Sequence, residues 1–301
     1  MDSTLVILAA GIGNRYGGLK QIDQVGPSGE TIVDYSIYDA ARSGFGRIVF
    51  VIRRNIEREF REVFFDRLAR RFDVDYIFQE LDDLPAGFKV PPDRVKPWGT
   101  SHAVLVAERK VHGPFAAINA DDFYGRGAFE GMARFLERPR PSETRYALVG
   151  YRLESTLSDF GSVARGVCEV GPDKLLRGIV ERTSIHRTPA GIVFRDEHGR
   201  EVGLSGTETV SMNFWGFTPT FFGFAKEMFE RFLRNSAGHP KAELYIPLVI
   251  GSLLDSGRAE VQVLDCHETW FGVTYREDKP RVMAEFRTLV EAGTYPRRLW
   301  D

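Results

Sequence analysis

The stretch that most constrains the chain is Leu5 to Gln21, LVILAAGIGNRYGGLKQ. Leu5-Val6-Ile7-Leu8 is an unbroken apolar run, as suits a strand buried on both faces of a parallel sheet. It gives way to Ala9-Ala10-Gly11-Ile12-Gly13, where small side chains leave backbone N–H groups open to a bound group. Two fixed positive charges follow, Arg15 and Lys20. A strand, a glycine-rich turn and an Arg/Lys pair in that order describe a polyphosphate site. Two better-known phosphate turns do not fit. A dinucleotide turn needs G-x-G-x-x-G opening a helix, and here Gly17 falls one residue late. A P-loop needs G-x-x-x-x-G-K-[ST]. Gly13 and Gly18 have that spacing, but Leu19 precedes Lys20 and Gln21 stands where a hydroxyl is required.

Downstream, Gly26-Pro27-Ser28-Gly29 is turn chemistry, and Thr31 with Asp34 has capping-box spacing before a helix ended by Gly44. Arg47–Ile52 and Val74–Phe78 read as strands flanking a basic helix that Asn55 caps, its charges forming a solvated face. This alternation predicts a parallel, doubly wound sheet. Residues 81–98 carry four prolines and read as a long loop, either a surface insertion or a lid. Gly99–Lys110 returns to helix, and Phe115–Asn119 is a strand that ends at Ala120-Asp121-Asp122. Ligands in open α/β sheets gather at the carboxyl ends of strands, where this Asp pair and the first loop both fall. A buried unpaired carboxylate is costly. The pair is therefore either a ligand site or the N-cap of a helix beginning near Gly125. From Thr144 the texture is strand-rich, mixed or antiparallel, with a hairpin at 192–204. Helices at Phe221–Leu233 and Ala242–Leu254, a strand at Glu260–Leu264 and a helix at Lys279–Ala292 complete it.

A chain of 301 residues can bury a large core, and 43% hydrophobic with 27% charged residues is ordinary for a soluble protein. A net charge of −2 argues against nucleic acid or an anionic membrane as partner. Cys168 and Cys266 form no C-x-x-C pair, so a cytoplasmic protein with two reduced thiols is expected. The first residues lack the pattern of a signal peptide.

LAAGIGNRYGGLKQ resembles the Leu-Ala-Ala-Gly-x-Gly-x-Arg…Lys signature of the nucleotidyltransferases that activate sugar phosphates, such as glucose-1-phosphate thymidylyltransferases and N-acetylglucosamine-1-phosphate uridylyltransferases. The gap before the Lys is shorter than in most sugar-phosphate members, and Lys20-Gln21 is closer to the cytidylyltransferase branch. The resemblance implies that Leu8, Ala9, Ala10 and Gly11 lie near base and ribose, Gly13 and Arg15 on the triphosphate, and Lys20 on the reacting phosphates. INADDFYG is similar to the family's metal strand, with Asp121 holding Mg²⁺ and Asp122 as an accessory beside the sugar. Gln79, Gly99 and Thr100 take the places of the base-reading segment. Gly161, Glu181 and Asn213 match elements that meet the sugar. The family's second metal ligand corresponds to Thr274, so Asp278 is the candidate substitute.

The implied fold is α/β: a Rossmann-like, GT-A-like three-layer sandwich with a mixed, mostly parallel central sheet. It implies one domain over 1–301, with a nucleotide part at 1–145 and an acceptor part at 146–301. The implied reaction joins a nucleoside triphosphate, UTP or dTTP, to a sugar 1-phosphate and releases pyrophosphate. A phosphate monoester is already largely dianionic near neutral pH, so no general base is needed. Two other readings remain: a GT-A glycosyltransferase using a nucleotide sugar, and a non-catalytic nucleotide-sugar-binding protein. A homo-oligomer is compatible with all three.

Overall fold

Every residue of β1 (Thr4–Leu8) is buried, as its unbroken apolar run requires. The computed structural model describes residues 3–10, 24–138, 142–236, 239–266 and 268–300. After β1, α1 (Ile32–Arg42) opens where the Thr31 N–H donates to the Asp34 carboxylate at 2.9 Å. It closes before Gly44, whose φ of 98° favours glycine. Then come β2 (Arg47–Ile52), α2 (Glu57–Phe60) and α3 (Asp66–Leu68) joined by a π-helical turn, and β3 (Asp73–Phe78). The first half continues with α4 (Thr100–Val106), β4 (Phe115–Asn119), β5 (Asp122–Phe123) and α5 (Arg126–Glu137). The second half is built from β6 (Arg145–Arg152), β7 (Val163–Val170), β8 (Leu176–Thr188), β9 (Gly191–Arg195), β10 (Glu201–Leu204) and β11 (Thr209–Phe217). It continues through α6 (Thr220–Ser236), α7 (Ile246–Asp255), β12 (Glu260–Asp265), β13 (Phe271–Gly272) and α8 (Lys279–Glu291).

Strands β3, β2, β1 and β4 run parallel, the expected doubly wound unit. The same sheet continues into the second half through β11, which is antiparallel to β4, β6 and β7. On one face α1, the α2–α3 segment and α5 cover the sheet with Val33, Ile37, Phe60, Phe64, Phe129 and Met132. On the other, α4, α6 and α7 contribute Val104, Phe221, Phe229, Val249 and Ile250. The result is three layers, helix–sheet–helix, with a mixed sheet. A third cluster seats α8 on α1 and on the β5–β13 ribbon, through Tyr35, Phe123, Phe271 and Phe286.

Two sequence expectations shift. The helix expected from Ala242 starts at Ile246. Residues 242–244 are instead tied to the segment ahead of α4. Leu244 N–H donates to Trp98 O at 2.8 Å, Ser101 N–H to Leu244 O at 3.0 Å, and Arg94 Nη2 to Ala242 O at 2.7 Å. The proline-rich loop 81–98 is accordingly packed and not a loose insertion. Trp98 is buried, its indole N–H donates to Leu81 O, and Arg94 lies 3.5 Å over its ring.

Candidate active site

The long strand β11 serves two neighbours along one edge. Thr209–Ser211 pair with β7, Trp215–Phe217 pair with β4, and β6 runs along the other edge. Between the two pairings the strand bulges, and Asn213 sits there with a left-handed φ of 65°. The bulge splays β4 from β7 and opens a cleft of about 310 Å³ at the carboxyl end of β4.

The cleft gathers residues far apart in the chain. Asn119, Asp121 and Asp122 come from the end of β4, Arg165 and Gly166 from β7, and Glu181 from β8. Ser211 and Asn213 line it from the bulge, Thr100 and Tyr245 from the tied 98–101 and 244–246 segments, and Trp270 and Thr274 from beyond the ribbon. The Asp pair is not a helix cap, because Gly125 occupies that position on α5. Instead β5 pairs with β13, placing Gly272 opposite Asp122. Gly272 has to be glycine, since a Cβ there would lie 2.7 Å from Asp122 Oδ1.

A directed hydrogen-bond chain fixes the floor. Trp215 Nε1–H donates to Asn213 Oδ1 at 3.0 Å, Asn213 Nδ2 to Asn119 Oδ1 at 3.0 Å, and Asn119 Nδ2 to Asp122 Oδ2 at 2.9 Å. Indole can only donate and carboxylate only accept, so the orientation of both amides is set. Arg165 is 9% exposed. It donates through Nε to Thr156 Oγ1 at 3.1 Å, through Nη1 to Ala164 O at 2.8 Å, and through Nη2 to Thr156 O. Burial lowers its pKa to about 10, opposed by the charges of Asp122, Glu181 and Asp278. Burial raises the Glu181 carboxyl above its ordinary value, and Arg165 pulls it part of the way back.

The remaining expected site residues are placed as follows. Leu8, Ala9 and Ala10 are buried at the carboxyl end of β1, where Ala9 N–H donates to Val51 O at 2.8 Å. Gly11, Gly13, Arg15 and Lys20 lie outside the described residues. Gln79 is buried at the end of β3 and donates to Gly99 O at 3.0 Å. Gly99 has φ 104°, and a Cβ there would lie 2.5 Å from Leu244 O, so the tie to 242–244 accounts for the glycine. Thr100 Oγ1 accepts from Ile246 N–H at 3.1 Å. Gly161 is not brought to the cleft. It lines a separate depression with Ser184, His186, Arg187 and Arg195, and it packs against the Tyr275 ring. Asp278 also stays outside the cleft lining. Its Oδ2 accepts from Thr274 N–H at 3.1 Å and Tyr275 N–H at 2.8 Å, and its Oδ1 from Ser158 Oγ at 3.0 Å. It is buried and braces the turn that presents Thr274.

Arg165 and Asn119 also line the cleft, and sequence reasoning did not point to either. Arg165 leaves a trace, because it alternates with Val163 and Val167 on one face of a strand, a charge at an apolar position.

Among the described residues, no three His, Cys, Asp or Glu side chains form a ready metal cage. Mg²⁺ needs none, since it takes one or two carboxylates and completes its shell with water and substrate phosphates. Asp121, Asp122 and Glu181 line the cleft together, and carboxylate oxygens are the ligands a hard divalent cation prefers. No described helix is long and apolar enough to cross a membrane.

No family model and no curated protein matches the chain. Solved structures do. A protein from Bacillus anthracis assigned as a glucose-1-phosphate thymidylyltransferase, solved with sucrose, aligns with a TM-score of 0.63 at 15% identity over 95% of each chain. The inositol-1-phosphate CTP transferase of T. maritima aligns with a TM-score of 0.58 at 15% identity, over 94% of this chain and 96% of that one. HddC from Yersinia pseudotuberculosis aligns with a TM-score of 0.57 at 15% identity, over 94% and 99%. Over nearly its whole length, the chain has the α/β fold of the sugar-phosphate nucleotidyltransferases.

Proposed function

We propose that the chain transfers a nucleotidyl group from UTP or dTTP to a sugar 1-phosphate, releasing pyrophosphate, as one domain with a nucleotide part at 1–145 and an acceptor part at 146–301. The observation that carries this reading is the convergence of Asp121, Asp122, Glu181, Asn213 and Thr274 in one cleft. They are scattered over more than half the chain, yet they meet where the loop after β1 also begins.

In this reading the two substrates enter from different sides. Arg15 and Lys20 hold the triphosphate, and Gln79, Gly99 and Thr100 meet the base. Glu181 and Asn213 bind sugar hydroxyls, with Glu181 accepting hydrogen bonds because Arg165 favours its charged form. The sugar phosphate attacks the α-phosphorus in line, and positioning with charge neutralisation supplies most of the rate. Asp121, with Asp122 beside it, would hold Mg²⁺. When bound, the ion supplies charge neutralisation at the phosphates.

A screen of nucleoside triphosphates against sugar 1-phosphates with Mg²⁺, read by pyrophosphate release, tests this. Release dependent on both substrates is expected. Transfer from a nucleotide sugar without pyrophosphate would identify a glycosyltransferase instead, and binding with no turnover a nucleotide-sugar-binding protein.

A further inference from the structure

Gln79, at the end of β3, and His102, on α4 two residues after Thr100, are both buried, 5% and 1% exposed. His102 Nε2 lies 2.9 Å from Asp83 O, and its Nδ1 lies 3.1 Å from Gln79 Nε2. A carbonyl oxygen only accepts, so Nε2 carries the proton. Burial holds the His102 pKa down to about 4, so the ring is neutral at physiological pH and Nδ1 is an acceptor. Gln79 must then turn its nitrogen toward the ring. Its other N–H donates to Gly99 O at 3.0 Å, so two independent acceptors fix the same orientation. The ring is itself held by packing on Phe229, centroids 4.6 Å apart. Among the described residues, the Gln79 amide oxygen accepts no hydrogen bond.

We propose that His102 is a positioning residue that locks the Gln79 amide with only its oxygen left to meet a base, so that the site selects a pyrimidine by an N–H on its ring. This rests on the nucleotidyltransferase reading above. A free amide can rotate to offer N–H or C=O and so tolerates either base pattern. Here rotation would set the amide oxygen against the Gly99 carbonyl and the bare Nδ1, losing two hydrogen bonds and creating two repulsions. Uracil and thymine carry an N–H at ring position 3, whereas cytosine carries a lone pair there. A locked acceptor matches the first two and opposes the third. His102 thus acts on nucleotide choice without touching nucleotide.

The test is titration of UTP and CTP, with Mg²⁺, into wild type, His102→Phe and His102→Gln. Wild type is expected to favour UTP. His102→Phe removes the acceptor but keeps a ring on Phe229, and should narrow the UTP:CTP ratio about tenfold or more, the scale of one misplaced polar contact. His102→Gln, whose amide again offers one donor and one acceptor, should keep most of the ratio. An unchanged ratio in the Phe variant, or equal loss for both nucleotides, would overturn the lock alone. Failure of wild type to bind either nucleotide would overturn the nucleotidyltransferase reading and this inference with it. Independently of nucleotide, ¹⁵N shifts of His102 should report an Nε2–H tautomer; an Nδ1–H tautomer would refute the lock directly.

Discussion

The two halves of the sheet build their share of the cleft in opposite ways. On the β1–β4 side, strands are parallel, nearly every inward position is apolar, and the proposed contacts sit on loops at strand ends. On the β7–β11 side, strands are antiparallel, and the cleft residues lie within strands, aimed by a bulge at Asn213 and by the pairing of Gly166 with Glu181. The charges differ too. Asp39, on α1, is fully buried, with Tyr295 Oη donating to one oxygen at 2.6 Å and the other without a hydrogen bond among the described residues. Its pKa is pushed up to about 7, mainly by burial. On the other side, Arg165 lies near Asp122, Glu181 and Asp278 and favours its own charged form through them. The first half leaves a buried acid to be neutralised by a proton, the second by a guanidinium.

The sharpest way to break the comparison is to remove the charges proposed to act on the phosphates. Arg15→Ala, Lys20→Ala and Asp121→Asn are each expected to slow turnover about 10²–10³-fold while leaving the circular dichroism unchanged, the scale of losing one transition-state contact. Normal turnover of Asp121→Asn with Mg²⁺ present would remove this strand end from catalysis. Next is Arg165→Met, which removes the buried guanidinium's hydrogen bonds to Thr156 and Ala164 and its charge near Glu181. It should cost about 3 kcal/mol in urea unfolding, the scale of losing buried hydrogen bonds to a charged group. A loss under about 1 kcal/mol, the scale of an exposed pair, would show that the guanidinium merely fills space.

Asp39 offers the contrasting measurement. A carboxyl whose folded pKa lies above its unfolded value binds its proton more tightly when folded. Its contribution is therefore complete below about pH 4 and is lost as pH rises to about 7. Wild-type stability relative to Asp39→Asn should fall across that window by a few kcal/mol at most, at roughly 1.4 kcal/mol for each pH unit separating the folded and unfolded pKa values. A flat difference would mean that Asp39 is charged throughout. Smaller again is a split in Michaelis constants. Glu181→Gln should raise KM for the sugar phosphate about tenfold with little change for the triphosphate, and Gln79→Ala should do the reverse; about 1.4 kcal/mol separates the cases. If both variants shift both constants equally, the two sides of the cleft are not separate binding surfaces. Smallest is Asp278→Asn, expected to cost about 1 kcal/mol of stability through its turn while the Mg²⁺ dependence of turnover stays unchanged. A sharply raised Mg²⁺ requirement would restore Asp278 as a ligand.

The same contrast explains what was legible in the sequence. β1, β2, β3 and β4 announce themselves through apolar runs, and α1 through Thr31, Asp34 and Gly44, because these signals are local. The antiparallel side is written in long-range pairing. β8 is a strand of 13 residues of which only Leu176 and Ile185 are buried, and its alternation gives no apolar face to read. α7 begins at Ile246 because the residues before it are committed to Trp98 and Ser101. The Asn213 bulge is set by partners on both edges of β11, and a single strand's sequence does not show which neighbours it will have. Asp278 is a related case: it lies close to Thr274 in sequence, and only the fold shows that its oxygens accept from the turn N–H groups and from Ser158.

The way β11 is shared also bears on synthesis. β4 pairs with β1 on one edge and with Trp215–Phe217 on the other. A chain emerging from the ribosome can assemble β1 to β4 early, but the outer edge of β4 stays bare until β11 has been made. In that interval it is an open, apolar strand edge, the kind of surface on which nascent chains pair wrongly. The segment before α4 likewise waits for residues 242–244. The first half thus waits on the second to complete its sheet, although it is the half whose sequence is easiest to read.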